Sequence, residues 1–197
     1  ALVTTPGAAK WYKANGRVAS QGVALRVDGA LEWLPQEAIV FDRANVRSEL
    51  QVEVADDAAM IGWDIVALGR AAAGEAFAQG RFAQTIRLIE SGTLQWIERT
   101  HLEGGDALLD SPVGLAGRLV FGCLWAVGPH WRDDVLASLR ERLPDQAPIT
   151  RLAPRLLVAR VLASGTQAAR RLLEAVWREV RPRVLDCAAV APRIWAT

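Results

Sequence analysis

The sequence predicts a mainly β fold of the α+β kind: stacked layers of short, largely antiparallel strands, with two helices in the C-terminal half. Three observations carry this. Short apolar runs recur along the first two thirds of the chain, separated by Gly, Pro and Asp turns. Between Asn45 and Val54 the apolar residues Val46, Leu50, Val52 and Val54 alternate with Arg47, Glu49, Gln51 and Glu53, the period of a half-buried strand. Helical spacing first appears after Pro129. Runs of strands followed by helices, without βαβ alternation, point to layered β structure.

In order, Ala1–Thr5 reads as a strand stopped by Pro6-Gly7, followed by a basic-aromatic loop, Lys10-Trp11-Tyr12-Lys13. Arg17–Val27 reads as one strand, or two with a bend, ended by Asp28-Gly29. Leu31–Leu34 is a strand cut by Pro35, and Glu37–Phe41 is another. Asn45–Val54 is expected to pair antiparallel, with one wet face. Asp56-Asp57 turns the chain into an apolar strand from Met60 that carries one acid, Asp64. That strand runs to Gly69-Arg70 and Gly74-Glu75, and the chain turns again at Gly80. Phe82–Ile89 and Leu94–Leu102 form a hairpin around Ser91-Gly92, and Gly104-Gly105 closes it. Val113–Val127 is apolar with scattered glycines and suits strands or a buried strand pair.

Trp131, Val135, Leu136, Leu139 and Leu143 have helical spacing, with Asp133 and Asp134 where the helix dipole favours acids and Pro144 as the stop. Leu156–Leu162 is a strand. Thr166–Arg181 has the strongest helical stripe: Ala169, Leu172, Leu173, Val176, Trp177 and Val180. Ser164 or Thr166 is its expected cap and Pro182 its expected end.

A chain of 197 residues fits a single domain, 1–197, and buries roughly 70% of its extended surface. Its 51% hydrophobic and 23% charged residues are those of an ordinary soluble protein. A net charge of +1 argues against nucleic acid or an acidic membrane as partner. No run is long enough to span a bilayer and no signal peptide is visible, although the chain begins without Met. Cys123 and Cys187 lie far apart in apolar surroundings, which suits free buried thiols and a reducing, cytoplasmic compartment.

Motifs for catalysis are sparse. His101 and His130 belong to no ligand cluster, and there is no nucleophile elbow. Gly69-Arg-Ala-Ala-Ala-Gly-Glu75 lacks the spacing, the Lys and the following helix of a phosphate loop. Three acids stand out, because a carboxylate among apolar strand residues is costly unless paired or metal-bound. Asp64, Glu75 and Glu98 suit interior ion pairs with Arg70, Arg81 and Arg99, general acid–base chemistry of a hydrolase, or ligation of a hard or borderline metal. Taken alone, the ion-pair reading is the stronger. Eight Trp could stack on single-stranded bases, but the neutral charge favours core and interface roles.

Several motifs together resemble one family. They are Lys10-Trp11-Tyr12-Lys13, Leu31-Glu32-Trp33-Leu34-Pro35-Gln36, Trp63-Asp64 through Gly69-Arg70, Gly74-Glu75, Glu98-Arg99 and Pro192-Arg193-Ile194-Trp195-Ala196-Thr197. In that order they resemble the urease accessory protein family UreD, called UreH in some organisms. Ala71 stands where the family has Pro, and the family's N-terminal portion with its Gly-Gly-Asp motif is absent. The resemblance implies a mainly β scaffold that is not an enzyme. It implies binding to apo-urease subunits and to UreF, which recruits the GTPase UreG, and delivery of nickel to the urease active site. No tightly bound cofactor is implied; nickel is in transit. Family proposals route nickel through an internal passage. Asp64, Glu98 and Glu75 would then serve as weak oxygen stations, because His or Cys sites would trap the ion.

Overall fold

The computed structural model describes residues 1–70 and 73–196; Ala71, Ala72 and Thr197 lie outside the described residues. Among the described residues, twelve strands and two α-helices follow one another: β1 (Leu2–Val3), β2 (Ala9–Trp11), β3 (Ala19–Val27), β4 (Ala30–Trp33), β5 (Ala38–Val40), β6 (Asn45–Val54), β7 (Ala59–Leu68), β8 (Arg81–Glu90), β9 (Thr93–Glu103), β10 (Val120–Val127), α1 (Asp133–Arg142), β11 (Ile149–Ala153), β12 (Leu156–Ala163) and α2 (Thr166–Leu185). They stack in three layers. A four-stranded sheet, β3-β6-β8-β9, packs on an eight-stranded sheet with the central order β1-β4-β7-β10-β12-β11. The far face of the larger sheet carries the helices.

The mainly β class therefore stands, with mixed rather than largely antiparallel pairing. β6 has the bounds its alternation predicts, but it runs parallel to both β3 and β8. β4 and β5 both pair parallel to β7, end to end along one of its edges. Alternation reports which face is buried, and it is the same for either strand direction. The Ser91-Gly92 hairpin forms as expected, with both residues at positive φ.

Other departures have local reasons. Lys10 and Trp11 belong to strand β2 rather than a loop, held by parallel pairing to β5. Val113–Val127 yields one strand, β10, preceded by turns through Ala116 and Gly117 at positive φ. β10 is buried on both faces, so it lacks the alternation that would have marked its start. β11, exposed over most of its length, was not foreseen. α2 runs through Pro182 to Leu185. A proline in the last turn removes one hydrogen bond, while Val180 and Val184 still share the buried stripe. Its N-cap is Gly165, with no side-chain cap from Ser164 or Thr166. Cys187 is exposed; Cys123 is buried, and both are free.

Candidate functional site

The two sheets enclose an apolar layer that a polar seam divides. On one side lies a cluster including Leu50, Met60, Ile86, Trp96, Trp125 and Val158. On the other lie Val46, Val66, Leu68, Phe82 and Leu102. Between them β3, β6, β7, β8, β9 and β12 each place one or two polar residues on the inward face, where the apolar alternation is interrupted. In the smaller sheet, register aligns Gln21, Ser48, Gln84 and Thr100 in one cross-strand row. In the larger sheet, it aligns Asp64, Cys123 and Arg160. Glu98 sits one inward position from Thr100 on β9. The sequence reading found Asp64 and Glu98, but not Ser48, Gln84, Thr100 or Arg160. The signal was present: Ser48 falls between Val46 and Leu50, and Gln84 between Phe82 and Ile86, on otherwise apolar faces.

Two contacts cross the seam. Gln84 Nε2 donates to Asp64 Oδ2 at 2.5 Å. Arg160 grips Glu98 with Nε to Oε1 at 3.2 Å and Nη2 to Oε2 at 2.6 Å. Glu98 thus pairs with Arg160 across the sheets. Arg99 is exposed on the outer face, and Arg81 pairs with Glu103. Asp64 and Glu98 come from facing sheets, on β7 and β9.

Cavities flank the Asp64–Gln84 bond. One, of about 450 Å³, is lined by Asp64, Gln84, Glu98, Thr100, Cys123 and Arg160 among others. The second, of about 110 Å³, reaches Thr5, Trp11, Trp33, Pro35 and Gln36. Pro35 explains the second opening. It lacks the N–H that would continue the strand, so β4 and β5 remain separate. Their pairing with β7 stops at Gly62 and resumes at Val66, leaving a gap beside Asp64. Trp63 Nε1 holds the gap by donating to Pro35 O at 2.8 Å. Thr5 Oγ1 accepts from Gln36 N at 2.9 Å, and Arg170 on α2 donates to Gln36 and Glu37. Lys10 and Tyr12 are exposed, on and just after β2.

Burial pushes the Asp64 carboxyl above the usual range, and its hydrogen bonds from Gln84 and the Ile65 backbone only partly offset this. The sign of the consequence follows. Between the ordinary Asp pKa and the raised one, the folded protein holds a proton that the unfolded chain has lost, so this group's contribution to stability falls as pH rises. Asp64→Asn is expected to melt above the wild type at pH 7. The gap should close as pH falls to the ordinary Asp range; a melting series from pH 4 to 8 reads it. Burial, with Glu98 nearby, also pushes the Cys123 thiol up, so Cys123 stays a neutral thiol and a poor ligand.

Glu75 stands apart. Its Oε2 pairs with Arg70 and its Oε1 accepts from Asp42 N at 2.9 Å, while Asp42 Oδ1 accepts from Ala78 N and Gln79 N. This pair is the one expected, but it lies at the surface: Arg70 is exposed and Glu75 only half-buried. Glu75 ties down the loop after β7 and lines neither cavity. Gly69 and Gly74 carry that loop at positive φ, and a Cβ on Gly69 would lie 2.4 Å from Glu75 O. The remaining signature residues close the opposite face. Glu32 receives Trp177 Nε1 and Arg181, and Trp195 packs on Trp63 and Trp177 at ring distances of 4.8 and 5.2 Å. Pro192 and Arg193 lead into that Trp195 turn. Among the described residues, no three His, Cys, Asp or Glu side chains converge to hold a metal, and no helix is long and apolar enough to cross a membrane.

Comparison with known proteins agrees along the whole chain. Residues 1–196 match the family described as UreD urease accessory protein. The chain is similar to the urease accessory protein UreD of Nitrosococcus oceani, 45% identical over 201 residues that cover 100% of this chain and 67% of the relative. It is 45% identical to the protein of that name from Dechloromonas aromatica, covering 71% of it. The same identity and coverage hold for the UreD of Pseudomonas savastanoi pv. phaseolicola. With the expected motifs in order, the expected layers formed and relatives this similar across its full length, the chain belongs to the UreD family of urease accessory proteins.

Proposed function

We propose that this protein is a non-enzymatic urease maturation factor in the cytoplasm, which binds apo-urease and UreF, meets UreG through UreF, and passes nickel along the polar seam. One observation carries the reading: two rows of polar side chains face each other across an apolar sandwich, with a cavity on either side of Asp64. Apolar packing would fill that layer at lower free energy, because every buried polar group must find a partner. Nickel(II) in transit needs oxygen ligands that exchange, rather than thiolate or imidazole sites that hold it. Asp64 and Glu98 supply carboxylates one at a time, and Thr100, Ser48 and the amides supply neutral oxygens. The hydrolase alternative needs Asp64, Glu75 and Glu98 together, and Glu75 lies on a surface loop outside both cavities.

The test is co-expression with a urease operon at limiting nickel, using Asp64→Ala and Glu98→Gln. Urease activity and nickel content should each fall about tenfold, the weight of 1.4 kcal/mol, while urease and UreF still co-purify with the variants. Full activation by both variants would sink the passage.

A further inference from the structure

The two cavities have three lining residues in common, Asp64, Gln84 and Ile86. Ile86 is part of the wall. Asp64 and Gln84 approach from opposite sheets, and their 2.5 Å hydrogen bond lies between the spaces like a bar. From this we infer that Gln84 is a cation-operated gate between the cavities. The inference rests on the passage proposed above.

The chemistry lies in the amide. A glutamine side chain ends in a donor and an acceptor on one planar group that turns about a soft terminal torsion. With no ion present, its N–H₂ satisfies the Asp64 carboxylate and the bar is closed. A divalent cation arriving at Asp64 repels the N–H₂ dipole and attracts the carbonyl oxygen. Half a turn of the amide then replaces a hydrogen bond to Asp64 with an oxygen ligand beside it. The attraction that drives the turn scales with the charge of the ion, so a divalent ion opens the bar more effectively than sodium or potassium. Gln21, the other amide in the row, is exposed on β3 and lines only the second cavity. Arg160 can only donate and is already committed to Glu98. Ser48 and Thr100 are shorter and flank Gln84 at the same register.

The experiment uses the full chain co-expressed with the urease operon at limiting nickel, reading urease activity and nickel content. Gln84→Met keeps the length but cannot donate and offers only a soft thioether, a weak ligand for nickel(II) beside carboxylates, so it leaves an apolar plug. Gln84→Ala removes the bar. The expected results are about a tenfold loss for Gln84→Met and a smaller loss, about threefold, for Gln84→Ala, which opens the bar but gives up its oxygen. Co-purification with urease reports folding, and Gln84→Leu replaces Gln84→Met if that variant fails this control. Equal activation by the plugged and open variants overturns the gate. An equal loss in both also overturns it, because Gln84 would then be a fixed ligand or prop. Asp64→Ala, run in parallel, separates the two ideas. If it is impaired while the Gln84 variants are normal, the passage stands and the gate falls; if both it and Glu98→Gln are fully active, the passage itself falls.

Discussion

Replacing Glu32 with Ala is expected to cost about 3–5 kcal/mol of stability, the penalty for leaving a buried charge without its partner. At roughly 2–4 °C per kcal/mol for a chain of this size, the melting temperature should drop by about 10 °C. Glu32 is 3% exposed, the most deeply buried charged residue among those described. Its Oε1 accepts from Trp177 Nε1 at 2.7 Å, and Arg181 forks onto both oxygens, with Nη2 at 2.8 Å from Oε2. Alanine strands both donors at once. The damage should spread, because Arg181 also donates to Ala188 O and Cys187 O, which hold the tail after α2. Trp195 in that tail packs on Trp63, whose indole props the Pro35 gap. Glu32→Gln keeps an acceptor for Trp177 and should lose less. Urea melts of the three proteins decide it; a loss under about 1 kcal/mol for the Ala variant would place this pair with ordinary surface ion pairs.

Gly62→Ala is expected to destabilise by about 3 kcal/mol through overpacking. A Cβ there would lie 2.3 Å from two ring carbons of Trp125, which is fully buried. The ring has little room to retreat, since Trp96 packs on it at 6.0 Å between ring centres. Gly62 is in mid-strand, paired with Trp125 on one side and Trp33 on the other, so the backbone is pinned as well. A partner change should rescue it. Trp125 Nε1 is buried without a hydrogen-bond partner, so Trp125→Phe removes an unsatisfied donor along with ring volume. A double-mutant cycle by thermal or urea unfolding should give a favourable coupling of about 1–2 kcal/mol between the two sites. Additive effects would show that the clash is relieved elsewhere.

Much of the fold was legible in the chain because it is written in local periods. Asn45–Val54 alternates, and Thr166–Arg181 repeats at helical spacing; both elements formed, the strand at its expected bounds. The turns at Ser91-Gly92 and Gly104-Gly105 also fell where expected, since each answers to its own backbone torsions. Asp64 and Glu98 were visible as carboxylates in apolar strands. Their partners were not. The expectation gave Glu98 to a nearby arginine such as Arg99, but adjacent strand residues face opposite ways. Arg160, 62 positions later, faces it across the sandwich. Glu75 with Arg70 could be read correctly because both ends belong to one loop.

What the sequence determined by itself is therefore the mainly β class, most of the elements, the family motifs and the presence of misplaced acids. The tertiary structure alone decided strand direction, which side-chain alternation does not encode. It also decided that Gln21, Ser48, Gln84 and Thr100 face Asp64, Cys123 and Arg160. A cross-strand row exists only once register is set, and register depends on the pairing of segments far apart in the chain. Read singly, Ser48 or Gln84 is a minor blemish on a strand face. Brought together by pairing, with the gap that Pro35 opens beside β7, they form the polar seam in which Asp64 sits.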